Sequence, residues 1–445
     1  MDFETYRSHD ATALADLVQQ GDVTADELLH AAIARAEAVN PQLNAITLRH
    51  DDLARKAIAD GLPKGPFQGV PFLLKDLYAL LAGTPLTNGS RLTPAIPAPY
   101  DSTLVARAKA TGVVIFGKTA SPELGVNIST EPLLHGPCRN PFDLERSVGG
   151  SSGGAAAAVA AGIVPMAHAT DGGGSIRIPA ASCGLVGLKP SRGRNPIGPD
   201  AGEGWNGLAC GHVISRTVRD SARMLDALSG SEPGDPYACP PPRREFADEL
   251  GREVSPIKIG LVTEAPLGTP IHADCLSAVE ATAKTCEGMG HHVEPVRLDF
   301  VRPEVGWAMI TIVQSNLATD LAFWQQTTGL DPKEHCENIT LALAEGGRSL
   351  SAVDLERAIR TVQMLGRKFG RLFERHDVVL MPSLAAPPAE LGHFNQNDPD
   401  LSHHLGLVGA HIPFMPLANM TGCPAITLPL HQSEEGLPLG SMMMA

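Results

Sequence analysis

The sequence predicts an α/β protein, a single large domain with a mixed β-sheet core and helices on both faces. Apolar runs of strand length alternate with segments of helical periodicity along the chain. Glycine and proline number 45 and 37 in 445 residues, and such residues mark many turns. No repeat of about 20–50 residues and no low-complexity linker divides the chain, so we expect one domain over residues 1–445.

Residues 1–65 are expected to form an N-terminal helical part of this domain. Thr24-Ala-Asp-Glu27 has the pattern of a capping box, and apolar residues recur on one helical face behind it. Pro41 and the glycine- and proline-rich segment 61–66 are expected to interrupt the chain with loops.

Residues 66–230 are expected to form a core that carries the functional site. The apolar run 69–76 reads as a buried strand that ends at Lys75 and Asp76. Asp101-Ser102 caps a predicted helix through Ala110, and a short buried strand follows at 113–116.

Two glycine tracts make residues 149–188 the most unusual part of the sequence. Gly-Gly-Ser-Ser-Gly-Gly at 149–154 precedes a run of six alanines and one valine at 155–161, which predicts a helix of small residues. A predicted strand at 162–168 leads to the second tract, Asp-Gly-Gly-Gly-Ser-Ile-Arg at 171–177.

Residues 231–445 are expected to supply the substrate pocket and the second part of the sheet. Strands are predicted at 257–262, 377–382 and 424–429, and helices at 273–290 and 350–375.

Composition excludes several classes of protein. With 35 basic and 49 acidic residues the net charge is −14, which argues against binding to a nucleic-acid backbone. No apolar run approaches the roughly 20 residues that cross a bilayer, and the first ten residues lack the apolar region of a secretory signal. The eight cysteines form no C-x-x-C pair and no zinc-ligand spacing, so we expect thiols, a cytoplasmic protein and no metal.

A lysine and two serines could together perform nucleophilic catalysis. A buried Lys75 could lose its proton and act as a base, and Ser151 or Ser152 could relay a proton to it. The three glycines before Ser175 would let backbone N–H groups converge on one point, as an oxyanion hole requires. The structural alternative for Lys75 is a strand-end lysine paired with Asp76.

Lys75 and the two glycine tracts together resemble the amidase signature family of serine hydrolases. The separation of the two serines, 175 − 151 = 24, also agrees with the family pattern. The segments at 117–119, 129–132, 140–142 and 183–190 resemble the usual surroundings of these motifs, and the resemblance extends from about residue 10 to residue 440.

The resemblance implies a role for each of these residues. It makes Ser175 the nucleophile, Ser151 the relay serine and Lys75 the base, and it implies a cis peptide bond at Gly150–Ser151. Backbone N–H groups would form the oxyanion hole, while three further side chains would support the loops. The oxyanion residues are Gly172, Gly173, Gly174 and Ser175, and the supporting residues are Ser152, Asp171 and Arg177.

The implied reaction is hydrolysis of a carboxylic amide through an acyl-enzyme, without metal or organic cofactor. We expect a small-molecule amide as substrate and a monomer or homodimer. Residues 217–230 and the N-terminal helix resemble the branch of 6-aminohexanoate cyclic dimer hydrolases, which act on linear amides and lactam-like substrates. Residues 193–195 lack the Tyr-Gly of glutamyl-tRNA amidotransferase A subunits.

Alternative interpretations remain open at this level. Gly149–Gly153 also satisfies G-x-S-x-G, the nucleophile elbow of α/β-hydrolases, which would make Ser151 the nucleophile and need one of His135, His168 or His212. The segment 142–148 is too charged for the apolar strand that such an elbow follows. A glutaminase subunit that supplies ammonia to a partner complex, or a binding protein that keeps the fold, are further alternatives.

The last residues carry an expectation of their own. Relatives usually continue after residues 436–440 with another core strand and a closing helix, and Ser441-Met-Met-Met-Ala445 stands in their place. We therefore expect a truncated domain that lacks this last strand and helix, with an unpaired sheet edge and impaired catalysis.

Overall fold

The computed structural model describes residues 1–93 and 96–445. The helices are α1 (Phe3–Ser8), α2 (Ala11–Gln20), α3 (Ala25–Leu43), α4 (Asp51–Asp60), α5 (Thr103–Ala110), α6 (Gly153–Ala160), α7 (Arg177–Ser182), α8 (Val218–Leu228), α9 (Ala273–Gly288), α10 (Pro303–Thr328), α11 (Pro332–His335), α12 (Asn338–Ser349), α13 (Ala352–Phe373), α14 (Leu401–His411) and α15 (Met415–Thr421). Short 3₁₀ turns lie at Glu123–Gly125, Ala247–Glu249 and Pro266–Gly268.

The strands belong to three sheets. They are β1 (Ile46–Arg49), β2 (Pro71–Lys75), β3 (Val114–Thr119), β4 (Arg139–Asn140), β5 (Asp143–Ser147), β6 (Met166–Asp171), β7 (Val186–Lys189), β8 (Cys210–Ser215), β9 (Lys258–Leu261), β10 (His292–Pro295), β11 (Val378–Pro382), β12 (Ala425–Gln432) and β13 (Pro438–Met444). The largest sheet has eight strands in the order β10-β9-β11-β13-β12-β7-β8-β6.

This eight-stranded sheet is mixed, as predicted. Strands β9, β10 and β11 are parallel, whereas the neighbours from β11 through β13, β12, β7 and β8 to β6 pair antiparallel. On β11, Val379 and Met381 pack into the core formed with α13, while Leu380 packs against Val279 of α9. Alternate residues of one strand thus contact helices on opposite faces of the sheet.

A smaller sheet, in the order β1-β3-β2, lies beside the large one. β3 runs parallel to β2 and antiparallel to β1, and β2 contacts β6 at the end of the large sheet. All five residues of β2 are buried, and the strand ends at Lys75. The small sheet therefore brings Lys75 to the strand that leads into the second glycine tract.

The methionine run at the end of the chain forms a central strand. Met442, Met443 and Met444 pair with β11 on one side and with β12 on the other. Met442 and Met444 pack into the core on one face, and Met443 packs with the α9 cluster on the other. We expected this segment to replace a core strand and to leave an unpaired sheet edge. That expectation is wrong, because the segment is itself a strand and pairs along both of its edges. Its apolar side chains point to both faces of the sheet, which suits a strand that is buried on both faces.

The N-terminal helical part differs from expectation at one proline. The capping box at Thr24 and Glu27 is formed, but α3 continues through Pro41 to Leu43. Pro41 lies in the last turn, and Asn44 ends the helix with φ of 52°. Pro41 donates no helical hydrogen bond, yet the helix continues past it for two residues before it ends.

Two expectations from composition can be compared with the structure. All eight cysteines are unpaired thiols, as predicted. Within residues 1–93 and 96–445, no helix combines the length and the apolar composition that a membrane crossing requires.

Candidate active site

Three chain segments that are distant in sequence meet at the end of β2. Lys75 is the last residue of β2, and Ser151 lies just before α6. The second glycine tract joins the end of β6 to α7, and Ser175 lies in it. Because α6 packs against β2 and β6, the three sequence-predicted residues come to one region of the molecule.

Lys75 is fully buried and directed at hydroxyl groups. Its Nζ lies 2.7 Å from Ser151 Oγ and 2.9 Å from Thr170 Oγ1. Within the described residues it forms no ion pair with a carboxylate, and Asp76 instead accepts hydrogen bonds from the backbone and side chain of Thr87. The alternative of a Lys75–Asp76 pair is therefore wrong.

Burial sets the protonation of this lysine. It holds the pKa of Lys75 well below its ordinary value, and the more distant charge of Asp171 opposes the shift only in part. Lys75 can therefore hold a neutral amine at a pH at which an exposed lysine is charged.

Ser151 lies on a turn shaped by its neighbours. The Gly150–Ser151 peptide bond is cis, as the resemblance implies. A Cβ on Gly150 would lie 2.8 Å from the backbone of Asn127 and Ile128, so only glycine allows this approach. Ser152 bridges two segments, since its N–H donates to Ser175 O at 3.2 Å and its Oγ donates to Thr170 O at 3.2 Å.

The carboxylate of Asp171 organises the second glycine tract. It accepts hydrogen bonds from the N–H groups of Gly174 at 2.8 Å and Ile176 at 3.2 Å, and it pairs with Arg177 at 3.0 Å. Burial alone would raise the pKa of Asp171, but Arg177 and the amide of Asn419 outweigh burial and lower the pKa to about 2. The loop is thus built around a permanent negative charge.

This arrangement limits the donors that an oxyanion hole can use. The Gly174 N–H, expected among those donors, is already bonded to Asp171. The N–H groups of Gly172, Gly173 and Ser175 form no hydrogen bond with the described residues. Trp205 covers this part of the loop, because a Cβ on Gly172 would lie 2.8 Å from its ring.

Ser175 opens onto an apolar cavity of about 330 Å³. The serine is half-buried, and its hydroxyl forms no hydrogen bond with the described residues. Helices α10, α12, α14 and α15 supply about half of the lining residues. The apolar lining includes Ile128, Ile178, Val305, Met309, Val313, Leu343, Val408 and Met420.

Sequence reasoning missed Thr170 and Asn419. Thr170 precedes the second tract by one residue and contacts Lys75, yet a threonine on a strand has no distinctive pattern. Asn419 of α15 donates to the backbone oxygen of Asp171 at 3.1 Å and accepts from Arg177 at 2.7 Å. It lies far away in sequence, so only the fold brings it to Asp171.

The structure argues against the nucleophile-elbow alternative. Strand β5, which precedes Ser151, belongs to a separate two-stranded sheet with β4 rather than to the large sheet. His168 accepts a hydrogen bond from the Lys75 backbone, His212 bonds Ser221 and His135 contacts Thr87. None of these three bonds Ser151 or Ser175, and burial lowers the pKa of His168 and His212 to about 3.

The described residues also contain no cluster of three or more His, Cys, Asp or Glu suited to a metal ion.

Comparison with known proteins shows the same family over most of the chain. The family model for amidases matches residues 27–445. The 6-aminohexanoate-cyclic-dimer hydrolase of Paenarthrobacter ureafaciens is 33% identical over 98% of this chain and 91% of its own length. A putative amidase, AmiC, of Mycobacterium tuberculosis is 38% identical over 98% of this chain and 90% of its own length.

Solved structures agree with the sequence comparison. The structure of a 6-aminohexanoate cyclic dimer hydrolase complexed with substrate superposes with a TM-score of 0.93 at 32% identity, and it covers 99% of this chain and 93% of that chain. The residues matched by the family model include both glycine tracts, the large sheet and the terminal strand β13. The chain therefore belongs to the amidase signature family and is an amidase, a hydrolase of amide C–N bonds.

Proposed function

We propose that the chain hydrolyses its amide substrate through an acyl-enzyme on Ser175, with Ser151 as proton relay and Lys75 as base. The observation that carries this proposal is the 2.7 Å contact between the buried Lys75 Nζ and Ser151 Oγ. A buried lysine beside hydroxyl groups and without a carboxylate partner favours the neutral amine, which is the form that accepts a proton.

The first step transfers protons along this line. Ser175 Oγ attacks the carbonyl carbon, its proton passes to Ser151 Oγ, and the proton of Ser151 passes to Lys75 Nζ. In the neutral amine the nitrogen lone pair accepts from Ser151 while an N–H donates to Thr170. Thr170 thereby orients the lone pair toward the relay serine.

The tetrahedral oxyanion would be stabilised by the N–H groups of Gly172, Gly173 and Ser175, which support this role by having no other partner among the described residues. Gly174 contributes indirectly, because its bond to Asp171 fixes the loop. The amine then leaves with a proton returned through Ser151, and water hydrolyses the ester on Ser175 by the same relay. We propose that no metal or organic cofactor takes part.

The substrate that we propose is a linear or cyclic amide of the 6-aminohexanoate cyclic dimer type. Two observations support this class: the apolar wall of the cavity next to Ser175 and the similarity to the hydrolases named above. Glutamine, the substrate of the alternative amidotransferase role, carries two charges. An apolar wall would not compensate the desolvation of those charges, so the cavity favours the first class.

A covalent label tests the roles of the two serines. An alkyl fluorophosphonate should label the wild type and Ser151→Ala, the latter slowly, but not Ser175→Ala, as read by intact-protein mass spectrometry. Hydrolysis of a panel of linear and cyclic amides by the purified chain alone should follow the same order. Labelling of Ser175→Ala but not of Ser151→Ala would overturn the assignment.

We also propose that the protein acts in the cytoplasm as a monomer or homodimer. The eight thiols support a reducing compartment. Light scattering after gel filtration, together with an amide assay on the same fractions, tests whether the monomer or dimer is active without another subunit.

A further inference from the structure

Two apolar side chains of the cavity wall lie directly against the second glycine tract. A Cβ on Gly172 would lie 2.8 Å from the indole of Trp205, and one on Gly173 would lie 3.0 Å from Met309 Cε. Both side chains are half-buried, and both line the cavity onto which Ser175 opens. The tract is therefore bordered, within the cavity, by Trp205 and Met309.

The backbone holds Trp205 in an unusual conformation. Trp205 and Asn206 are both left-handed, with φ of 50° and 51°, and Gly207 follows with φ of 78°. A bulky residue rarely adopts this region, so its surroundings must hold it there. Asn316 of α10 donates to Asn206 Oδ1 at 2.9 Å, and Arg192 Nε donates to Gly207 O at 2.6 Å. These two hydrogen bonds tie the residues after Trp205 to α10 and to the segment that follows β7.

Trp205 and Met309 differ in how far their side chains can move. The indole is rigid and has only two side-chain torsions, and its backbone is held by the bonds just described. Met309 has an unbranched, flexible side chain that can adapt to a neighbour. Of the two residues, Trp205 is therefore the one that a substrate cannot easily displace.

We propose that Trp205 is a specificity-determining residue that admits amides with an unbranched CH₂ group next to the scissile carbonyl and rejects amides with a substituent on that carbon. This inference rests on the proposed acyl-enzyme function and narrows its substrate class. Amides of straight-chain acids, 6-aminohexanoate among them, meet the condition. Peptides and other amides of α-amino acids do not, because this carbon carries their amino group.

The proposed mechanism leaves one position on the reacting carbon for this wall. In the tetrahedral intermediate that carbon is bonded to Ser175 Oγ, its oxyanion faces the N–H groups of the tract, and its amine receives a proton from Ser151. The fourth neighbour is the first carbon of the acyl chain, which the apolar cavity receives. Because Trp205 lies against Gly172, one of the proposed oxyanion donors, a methyl group on this carbon would compete with the indole for space.

Hexanoyl 4-nitroanilide and the two enantiomers of its 2-methyl derivative test this role. For the wild type we expect kcat/KM to be at least about tenfold lower for one or both 2-methyl enantiomers than for the unbranched anilide. Trp205→Ala should raise the branched-to-unbranched ratio at least about tenfold, whereas Trp205→Phe should keep most of the wild-type preference. Trp205→Leu, which keeps an apolar side chain in the wall, should relax the preference as well and covers the case in which Trp205→Ala fails to fold. Trp307 lies outside the cavity and is 38% exposed, so Trp307→Ala should retain the wild-type ratio.

Binding separates this inference from the acyl-enzyme mechanism. Calorimetry on Ser175→Ala, with and without Trp205→Leu, measures the affinity for the same anilides in the absence of turnover. In a wild type that hydrolyses the unbranched anilide, equal kcat/KM for all three anilides, or an unchanged ratio in Trp205→Ala and Trp205→Leu, would overturn the role of Trp205 alone. If the wild type hydrolyses no amide, the proposed function fails, and the calorimetric ratio then decides whether Trp205 selects unbranched acyl groups.

Discussion

Asp171 and Arg177 form an ion pair at 3.0 Å in which both side chains are fully buried. The pair lies on either side of Ser175, at the end of β6 and the start of α7. Asn419 bonds both partners, and the Asp171 carboxylate also accepts two backbone N–H groups of the loop. The loop that carries Ser175 is thus held by a charge network rather than by the hydrogen bonds of a helix or sheet.

Replacement of one partner should destabilise the protein strongly. Arg177→Met leaves the Asp171 carboxylate buried without its cation, and we expect a loss of about 3–5 kcal/mol in the free energy of unfolding. Urea denaturation measures this loss. The exposed pair of Arg360 and Glu356, at 2.8 Å, provides the control, and Arg360→Ala should change stability by less than about 1 kcal/mol. Equal effects of the two variants would contradict a special role of the buried pair.

Gly174 should tolerate no side chain. Its φ is +128°, and a Cβ there would lie 2.7 Å from Ile178 Cδ1 and 2.9 Å from Met415 Cβ. Gly174→Ala should therefore lower both the melting temperature and kcat, because the displaced loop carries Ser175. Exposed Gly370 in α13 has nothing within 4 Å of its added Cβ, so Gly370→Ala should raise stability by roughly 1 kcal/mol and leave kcat unchanged. A Gly174→Ala protein with wild-type kcat would contradict the expected rigidity of the loop.

Activity should depend on pH through Lys75. Because burial lowers its pKa, the neutral form persists to a lower pH than in an exposed lysine, and kcat/KM should fall as the pH drops through that lowered pKa. As the proposed base, Lys75 acts in its deprotonated form, so we expect activity to be lost on the acid side and retained on the alkaline side. Lys75→Arg fixes the positive charge and should reduce kcat by about 100-fold or more at every pH. Stability measured over the same pH range separates this titration from unfolding, and an unchanged acid limb in Lys75→Arg would contradict the assignment of the base.

The residues that meet at the site could be predicted where a short, continuous stretch of sequence carries the pattern. Each glycine tract has its own pattern, and Lys75 ends an apolar run, so these residues could be found from the sequence. Asn419 could not, because it lies on α15, far from Asp171 in sequence, and meets Asp171 only in the folded chain.

The fold was predictable to a similar degree. The strands β2, β9, β11 and β12 follow apolar runs, and the sequence predicts each of them. The pairing of β13 between β11 and β12 could not be predicted, because three consecutive methionines have no period-2 alternation. Such a run suits a strand that is buried on both faces, which only the sheet order reveals.

The methionine strand should contribute strongly to stability. Met444 is fully buried, and its side chain packs in the same core as Val379 and Ala425, its partners on the neighbouring strands. Met444→Ala removes most of that side chain from a sheet centre that cannot collapse around the gap, so we expect a loss of about 2–5 kcal/mol by urea denaturation. Met364 on α13 is 58% exposed, and Met364→Ala should change stability by less than about 0.5 kcal/mol. If the two variants unfold at the same urea concentration, the terminal strand does not contribute to the folded core, because a strand detached in solution would make Met444 as replaceable as Met364.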